Sequence, residues 1–272
     1  MRRMRHLKPR EIQGCQLALD ASIPTSLYDA TSGGSLVAAD GVVRRWEDQS
    51  GNGYNVTEAT NGPQRKVATM NGRDTLYFDG TNDKLSPSAA SQSKFMHVAA
   101  GATFAAVAHF GNGSDPNALY VLADNSSLTS ANIGFFVDYD DRAAVPRNNA
   151  IVAQVARGVV GGANVTSLAV NGNKLTPNAP TAVSILFDNG NATANLRQRI
   201  SINGAGEFGG STTTNTASPD NPTSALTIGA TAASSFWMLG YVSEINGWNR
   251  LLSDAVRKRV SNSRQRKWRI NG

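Results

Sequence analysis

The strongest constraint on this chain is a pair of segments nearly 200 residues apart that read as the two ends of one β-sandwich. The first runs Trp46-Glu47-Asp48-Gln49-Ser50-Gly51-Asn52-Gly53 and continues at Leu76-Tyr77-Phe78-Asp79-Gly80-Thr81-Asn82-Asp83. The second runs Gly240-Tyr241-Val242-Ser243-Glu244-Ile245, then Leu251-Leu252-Ser253-Asp254, and ends at Lys267-Trp268. Each couples a short apolar strand to a turn built from Asp, Asn, Ser and Gly, the residues that bend a backbone through local hydrogen bonds or positive φ.

Short apolar runs fill the space between. Thr103 to Phe110, Ala118 to Leu122, Ile133 to Tyr139, Ile151 to Val155, Ser167 to Val170, Ala182 to Phe187 and Leu226 to Ile228 are strand-length, with turn signals such as Asn171-Gly172 and Asn203-Gly204 among them. Leu196 to Ile202 alternates, with Leu196, Gln198, Ile200 and Ile202 predicted on one face. Strands at this spacing argue for an all-β, two-sheet antiparallel sandwich. One helix is predicted over residues 254–266. Ser253 is its N-cap, Leu252, Val256 and Val260 form its apolar stripe, Arg257, Lys258, Arg264 and Lys267 its polar face, and Trp268 its anchor. The expected organisation is a basic arm over residues 1–14, a sandwich over 15–252, and a helix with basic tail over 253–272.

The order Leu-Asp-Ala-Ser, Trp-x-Asp-x-Ser-Gly-Asn-Gly, Phe-Asp-Gly-x-Asn-Asp, Gly-x-Val-x-Glu-Ile and Leu-Ser-Asp resembles the concanavalin A-like superfamily, in the laminin-G-like jelly-roll form found in phage and bacterial proteins. The resemblance implies that Phe78 fills the core and that the strand around Glu244 returns beside the N-terminal strand. It also implies a binding or building module, with sugars, proteins and in some relatives calcium as ligands.

Charge is unevenly placed. Residues 1–10 and 250–272 hold 13 of the 26 Lys and Arg residues and one acid, while residues 11–249 sum to −6. A nucleic-acid reader would carry its charge as a stripe across the fold, so nucleic acid is not the expected partner. Basic ends suit docking on an acidic neighbour or on another copy of the chain. Arg2, Arg3, Arg5, Lys8 and Arg10 in the arm, with Arg264, Arg266 and Lys267 in the tail, are the candidate partner-binding residues. Trp237 and Tyr241 are the candidates for stacking on a glycan. No apolar run of signal-peptide length follows the basic start, and no segment has bilayer-spanning length, so no membrane partner is expected. Cys15 is the only cysteine, which excludes an internal disulfide and suits a small buried hydrophobe.

No cofactor is expected. Calcium is the one ion considered, at an acidic cluster of Asp138, Asp140 and Asp141 placed on a loop. Asp48, Asp79 and Asp83 are read as turn residues accepting local N–H groups. Catalysis is not expected. A glycoside hydrolase needs two carboxylates flanking the scissile bond, and the five Glu residues show no such arrangement. The sequence reading favours a non-enzymatic structural protein of a tailed-phage virion, a head decoration, neck or tail component assembling through sandwich and arm. The alternative is a carbohydrate-binding module for host-surface attachment, on a phage or at a bacterial cell surface. A hydrolase ranks third.

Overall fold

A computed structural model describes residues 8–98, 100–111, 119–129, 131–140, 150–158, 165–170, 175, 179–206, 208–209 and 218–270, with backbone alone for 165–170 and 208. The architecture is all-β with antiparallel pairing and one C-terminal helix, as the strand spacing predicts. Strands are numbered in chain order: β1 Cys15–Asp20, β2 Leu27–Tyr28, β3 Arg45–Trp46, β4 Val56–Thr57, β5 Gln64–Met70, β6 Arg73–Asp79, β7 Ser86–Pro87, β8 Ala102–Phe110 and β9 Leu119–Asp124. They continue as β10 Ile133–Asp140, β11 Ala150–Arg157, β12 Val165–Val170, β13 Thr181–Phe187, β14 Gln198–Ile202, β15 Phe208–Gly209, β16 Thr227–Ile228 and β17 Leu239–Trp248, followed by helix α1, Asp254–Trp268.

The larger sheet runs β15-β14-β13-β8-β17-β6-β5, and β1 pairs with β17 beyond the end of β6. The second sheet runs β12-β11-β10-β9-β16, and a third joins the short strands β2-β3-β4-β7. One core unites all three. Leu76, Phe78, Phe104, Ile185, Phe187, Val242 and Ile245 from the larger sheet pack with Leu122, Phe135, Val137, Ile151 and Val155 from the second, and with Leu27, Trp46 and Val56 from the third.

The end-to-end closure expected from sequence is present. Asp20 lies opposite Glu244, and Cys15 opposite Trp248. Asp48 secures it: its carboxylate accepts the N–H of Ala18 at 2.8 Å, of Ser50 at 2.9 Å and of Tyr54 at 3.1 Å, tying the turn after β3 to β1. Asp79 and Asp83 likewise serve their turn, Asp79 accepting from Thr81 N–H and Asp83 from Asp79 N–H. Phe78 is fully buried, and Gly229 (φ +88°) sits so close that an added Cβ would lie 2.3 Å from its ring.

Two expectations change at the surface. Leu196 is exposed, because residues 194–196 form a 3-10 turn before β14 and leave the alternation to Gln198, Ile200 and Ile202. Helix α1 extends to Trp268, its polar face inverted: Arg257 and Arg264 are buried while Lys258 is exposed. The reason is what the helix covers. It lies on the outer face of the larger sheet, where Val260 and Leu252 pack on Ala105 and Trp248, Trp268 and Ile270 pack on Met70, Val107 and Ala182, and Glu244 requires a cation. Ser253 occupies the N-cap position with no side-chain bond to the helix.

Candidate functional site

The outer face of the larger sheet carries two chemically distinct surfaces, and a single irregularity in β17 creates both. Val242 and Ile245 both face the core although they are three residues apart, because the register shifts between Val242 and Glu244. Such a bulge re-aims the side chains beyond it. Here it places Tyr241 and Glu244, also three apart, together on the outer face.

At the Tyr241 end, three half-buried rings stand side by side on adjacent strands. Tyr241 pairs in register with Tyr77 of β6 and His109 of β8. Ring centroids are 5.1 Å apart for Tyr77–Tyr241 and 5.5 Å for His109–Tyr241, with planes tilted by 51° and 39°. The Nζ of Lys66 lies 5.7 Å from the Tyr77 ring. Gly240 lets β17 approach β8 closely: at φ +131°, a Cβ there would sit 2.1 Å from the His109 carbonyl oxygen. The sheet residues packed with the helix side chains are Met70, Ala105, Val107, Ala182 and Trp248, none of them part of this row. Trp237, the other aromatic candidate, is half-buried in the loop before β17, beside Phe236, which is 49% exposed and held at φ +52°.

At the Glu244 end, a cavity of about 280 Å³ opens between β1, α1 and the 3-10 turn Pro9–Glu11. It brings together four of the residues assigned to partner binding: Lys8, Arg10, Arg264 and Lys267. Two of these are not free to grip a neighbour. Arg264 donates from Nε to Glu244 Oε2 at 2.9 Å, and Lys267 bridges Asp20 Oδ2 at 2.6 Å and Glu244 Oε1. Burial, and then the negative charge of Glu244, push the Asp20 carboxyl above its ordinary range. Burial acts on Glu244 in the same sense, but Lys267 and Arg264 overcome it and hold that group below its ordinary range. Lys8, Arg10 and Arg266 are exposed, while Arg2, Arg3 and Arg5 lie outside the described residues.

Two carboxylates in one cavity, with opposed shifts, superficially resemble an acid–base pair. The geometry argues otherwise. Lys267 sits between the two groups and bonds both, so the position a scissile bond would need is filled by the ammonium.

The calcium expectation also changes. Asp138 and Asp140 lie on β10, not on a loop, and are buried within the second sheet; Asp141 lies outside the described residues. The strand simply runs one residue further than Tyr139, drawn out by pairing of Asp140 with Leu119 and Ala150. Among the described residues, no group of three or more His, Cys, Asp or Glu side chains is placed to hold a metal. Sequence reasoning named Tyr241 but missed Tyr77 and His109. Alternation within Leu76-Tyr77-Phe78 marks Tyr77 as outward-facing, yet only the strand pairing brings the three rings together.

No protein-family model and no curated protein sequence matches the chain. Solved structures do. The chain is similar to the botulinum neurotoxin serotype D binding domain (TM-score 0.57, 14% identity, 92% of this chain and 51% of that one). It is similar to the binding domain of botulinum neurotoxin DC solved in complex with SialylT (TM-score 0.53, 12% identity, 92% and 52%). It is also similar to the Ruminococcus gnavus IT-sialidase CBM40 bound to alpha2,3 sialyllactose (TM-score 0.51, 11% identity, 69% and 95%). The chain therefore spans about half the length of the toxin binding domains it matches, and at these identities the likeness establishes the β-sandwich fold.

Proposed function

We propose that this chain is a non-catalytic carbohydrate-binding module, and that the Tyr77–Tyr241–His109 row is where a glycan is held. The observation that carries the reading is that row: three partly exposed aromatic rings on neighbouring strands of a rigid sheet, flanked by Lys66. A sugar ring presents apolar C–H faces and a polar rim, and aromatic rings with polar edges suit it on both counts. The tilt between the rings means that a sugar stacks on one of them while its neighbours bound it laterally. Solved structures of similar fold include one bound to alpha2,3 sialyllactose and one in complex with SialylT, which supports glycan binding as a use of this architecture. Extracellular or cell-surface placement follows from this reading, and no helix among the described residues is long and apolar enough to cross a membrane.

This reading takes precedence over virion assembly through basic ends. Arg264 and Lys267, two residues assigned to gripping a neighbour, are engaged in ion pairs inside the fold. A glycan microarray that includes sialylated and neutral oligosaccharides tests the proposal. Binding to a defined subset of glycans, lost in Tyr241→Ala and Tyr77→Ala, is expected. Absence of binding on the whole array, or binding indifferent to both substitutions, overturns it.

A further inference from the structure

We propose that the aromatic row selects uncharged glycans and discriminates against acidic ones. The inference rests on the reading of the row as a glycan site and adds the class of sugar that the site accepts.

The row continues onto a fourth strand. Gln64 of β5 lies directly opposite Tyr77, and residues directly opposite share a face, so Gln64, Tyr77, Tyr241 and His109 form one line across β5, β6, β17 and β8. Binding an acidic sugar calls for a cation with charge and donors to spare. The cation beside this line is Lys66, and its charge is already matched: Nζ donates to Asp40 Oδ1 at 2.8 Å. The same Nζ lies 5.7 Å from the Tyr77 ring, so the Asp40 carboxylate stands within a Debye length of that ring, about 10 Å at 0.1 M salt. The Asp40 side chain is 73% exposed against 26% for Lys66, so a ligand meets the acid more openly than the base. Asp79 is exposed two residues along β6 from Tyr77, on the same face. In the turn that follows, Asp83 adds a further acid, while Lys84 is directed to Ser234 Oγ at 2.9 Å and Glu58 at 3.9 Å. Arg65, next to Gln64 on β5, donates twice to Asp74 Oδ2. Among the described residues, the charge left over around the row is therefore negative. What the row offers a ligand is the Gln64 amide, the tyrosine hydroxyls and the second oxygen of Asp40, a mixture of donors and acceptors. Sugar hydroxyls donate and accept, and match it. A sugar carboxylate brings acceptors alone, and like charge, into an acidic neighbourhood.

The test is calorimetric titration of the full chain with matched pairs: lactose against sialyllactose, N-acetyllactosamine against its sialylated form, and neutral gluco- and galacto-trisaccharides against the corresponding uronides. It is run at pH 8, above the ordinary imidazole range. In each pair that binds, the neutral member is expected to be tighter by at least about fivefold, and raising salt is expected to narrow the gap by screening a repulsion. Asp40→Asn removes the exposed charge, frees Lys66, and suits the left-handed backbone at this position (φ +60°). It is expected to bring the pair members within about twofold of each other. Acidic members binding as tightly as neutral ones or more tightly, acidic binding that weakens as salt rises, or a gap unchanged in Asp40→Asn overturns this inference; the row itself stands as a glycan site if Tyr241→Ala still abolishes that binding. Absence of binding by every member, or binding indifferent to Tyr241→Ala, overturns the glycan reading of the row and this inference with it.

Discussion

Glu244 is the point at which the C-terminal helix is locked to the sheet, and its substitution by Gln separates charge from shape. The side chains of Glu244 and Arg264 are 7% and 5% exposed, and the Arg264 Nε to Glu244 Oε2 bond is 2.9 Å. With Gln at this position, Arg264 becomes a buried cation with no counter-charge, and Lys267 retains only Asp20 at 2.6 Å. Removing one member of a buried ion pair costs about 3–5 kcal/mol, and the surviving Lys267–Asp20 pair places this case at about 3 kcal/mol. In a chain of this size each kcal/mol moves the midpoint by about 2 °C, so Tm is expected to fall by about 6 °C. The reverse substitution should cost less. Arg264→Met leaves Glu244 held by Lys267 and removes the unpaired Nη2, for about 1–2 kcal/mol. Urea denaturation followed by tryptophan fluorescence reads both, since Trp248 and Trp268 are buried beside the helix contact. Equal costs, the reverse order, or a Glu244→Gln effect within about 0.5 kcal/mol refutes this account of the contact.

Burial raises Asp83 to a pKa of about 6 from 3.8, so its ionisation opposes folding. Stability is therefore expected to fall as pH rises from about 4 to about 6; Asp83→Asn should gain on the wild type across that window by about 1–3 kcal/mol, and a difference that does not vary with pH contradicts this. Burial, assisted by Asp48, pushes Cys15 up to about 12, so its thiol should react with disulfide reagents at pH 8 far more slowly in the native protein than in urea; equal rates would exclude it. Asp48→Ala strips the N–H groups of Ala18, Ser50 and Tyr54 of their acceptor, for an expected loss of about 2–4 kcal/mol in urea denaturation; a loss below about 1 kcal/mol would show that this turn does not hold the ends together.

What the sequence made legible was local chemistry with a fixed geometric consequence. Asp48 and the glycines around it can form few structures other than a tight turn, and strand-length apolar runs between turn signals imply a sandwich. Long-range consequences were harder to read. The bulge at Val242–Glu244 has no signature in residue type, yet it decides that Tyr241 and Glu244 share a face. Helical periodicity assigned Arg257 and Arg264 to solvent because it assumes an apolar partner surface, whereas α1 rests on a sheet face containing Glu244 and Asn246. The two-residue strands β2, β3, β4 and β7 are too short to carry an alternation pattern, though Leu27, Trp46 and Val56 from the first three complete the core.

Chemical-shift mapping of the full chain during titration with a glycan selected from the array tests the central claim most directly. The account predicts saturable shifts of the Tyr77, Tyr241 and His109 ring resonances, with the Trp46 and Trp248 core resonances unmoved. Shifts confined to other surfaces, with these three rings silent at saturation, would contradict it.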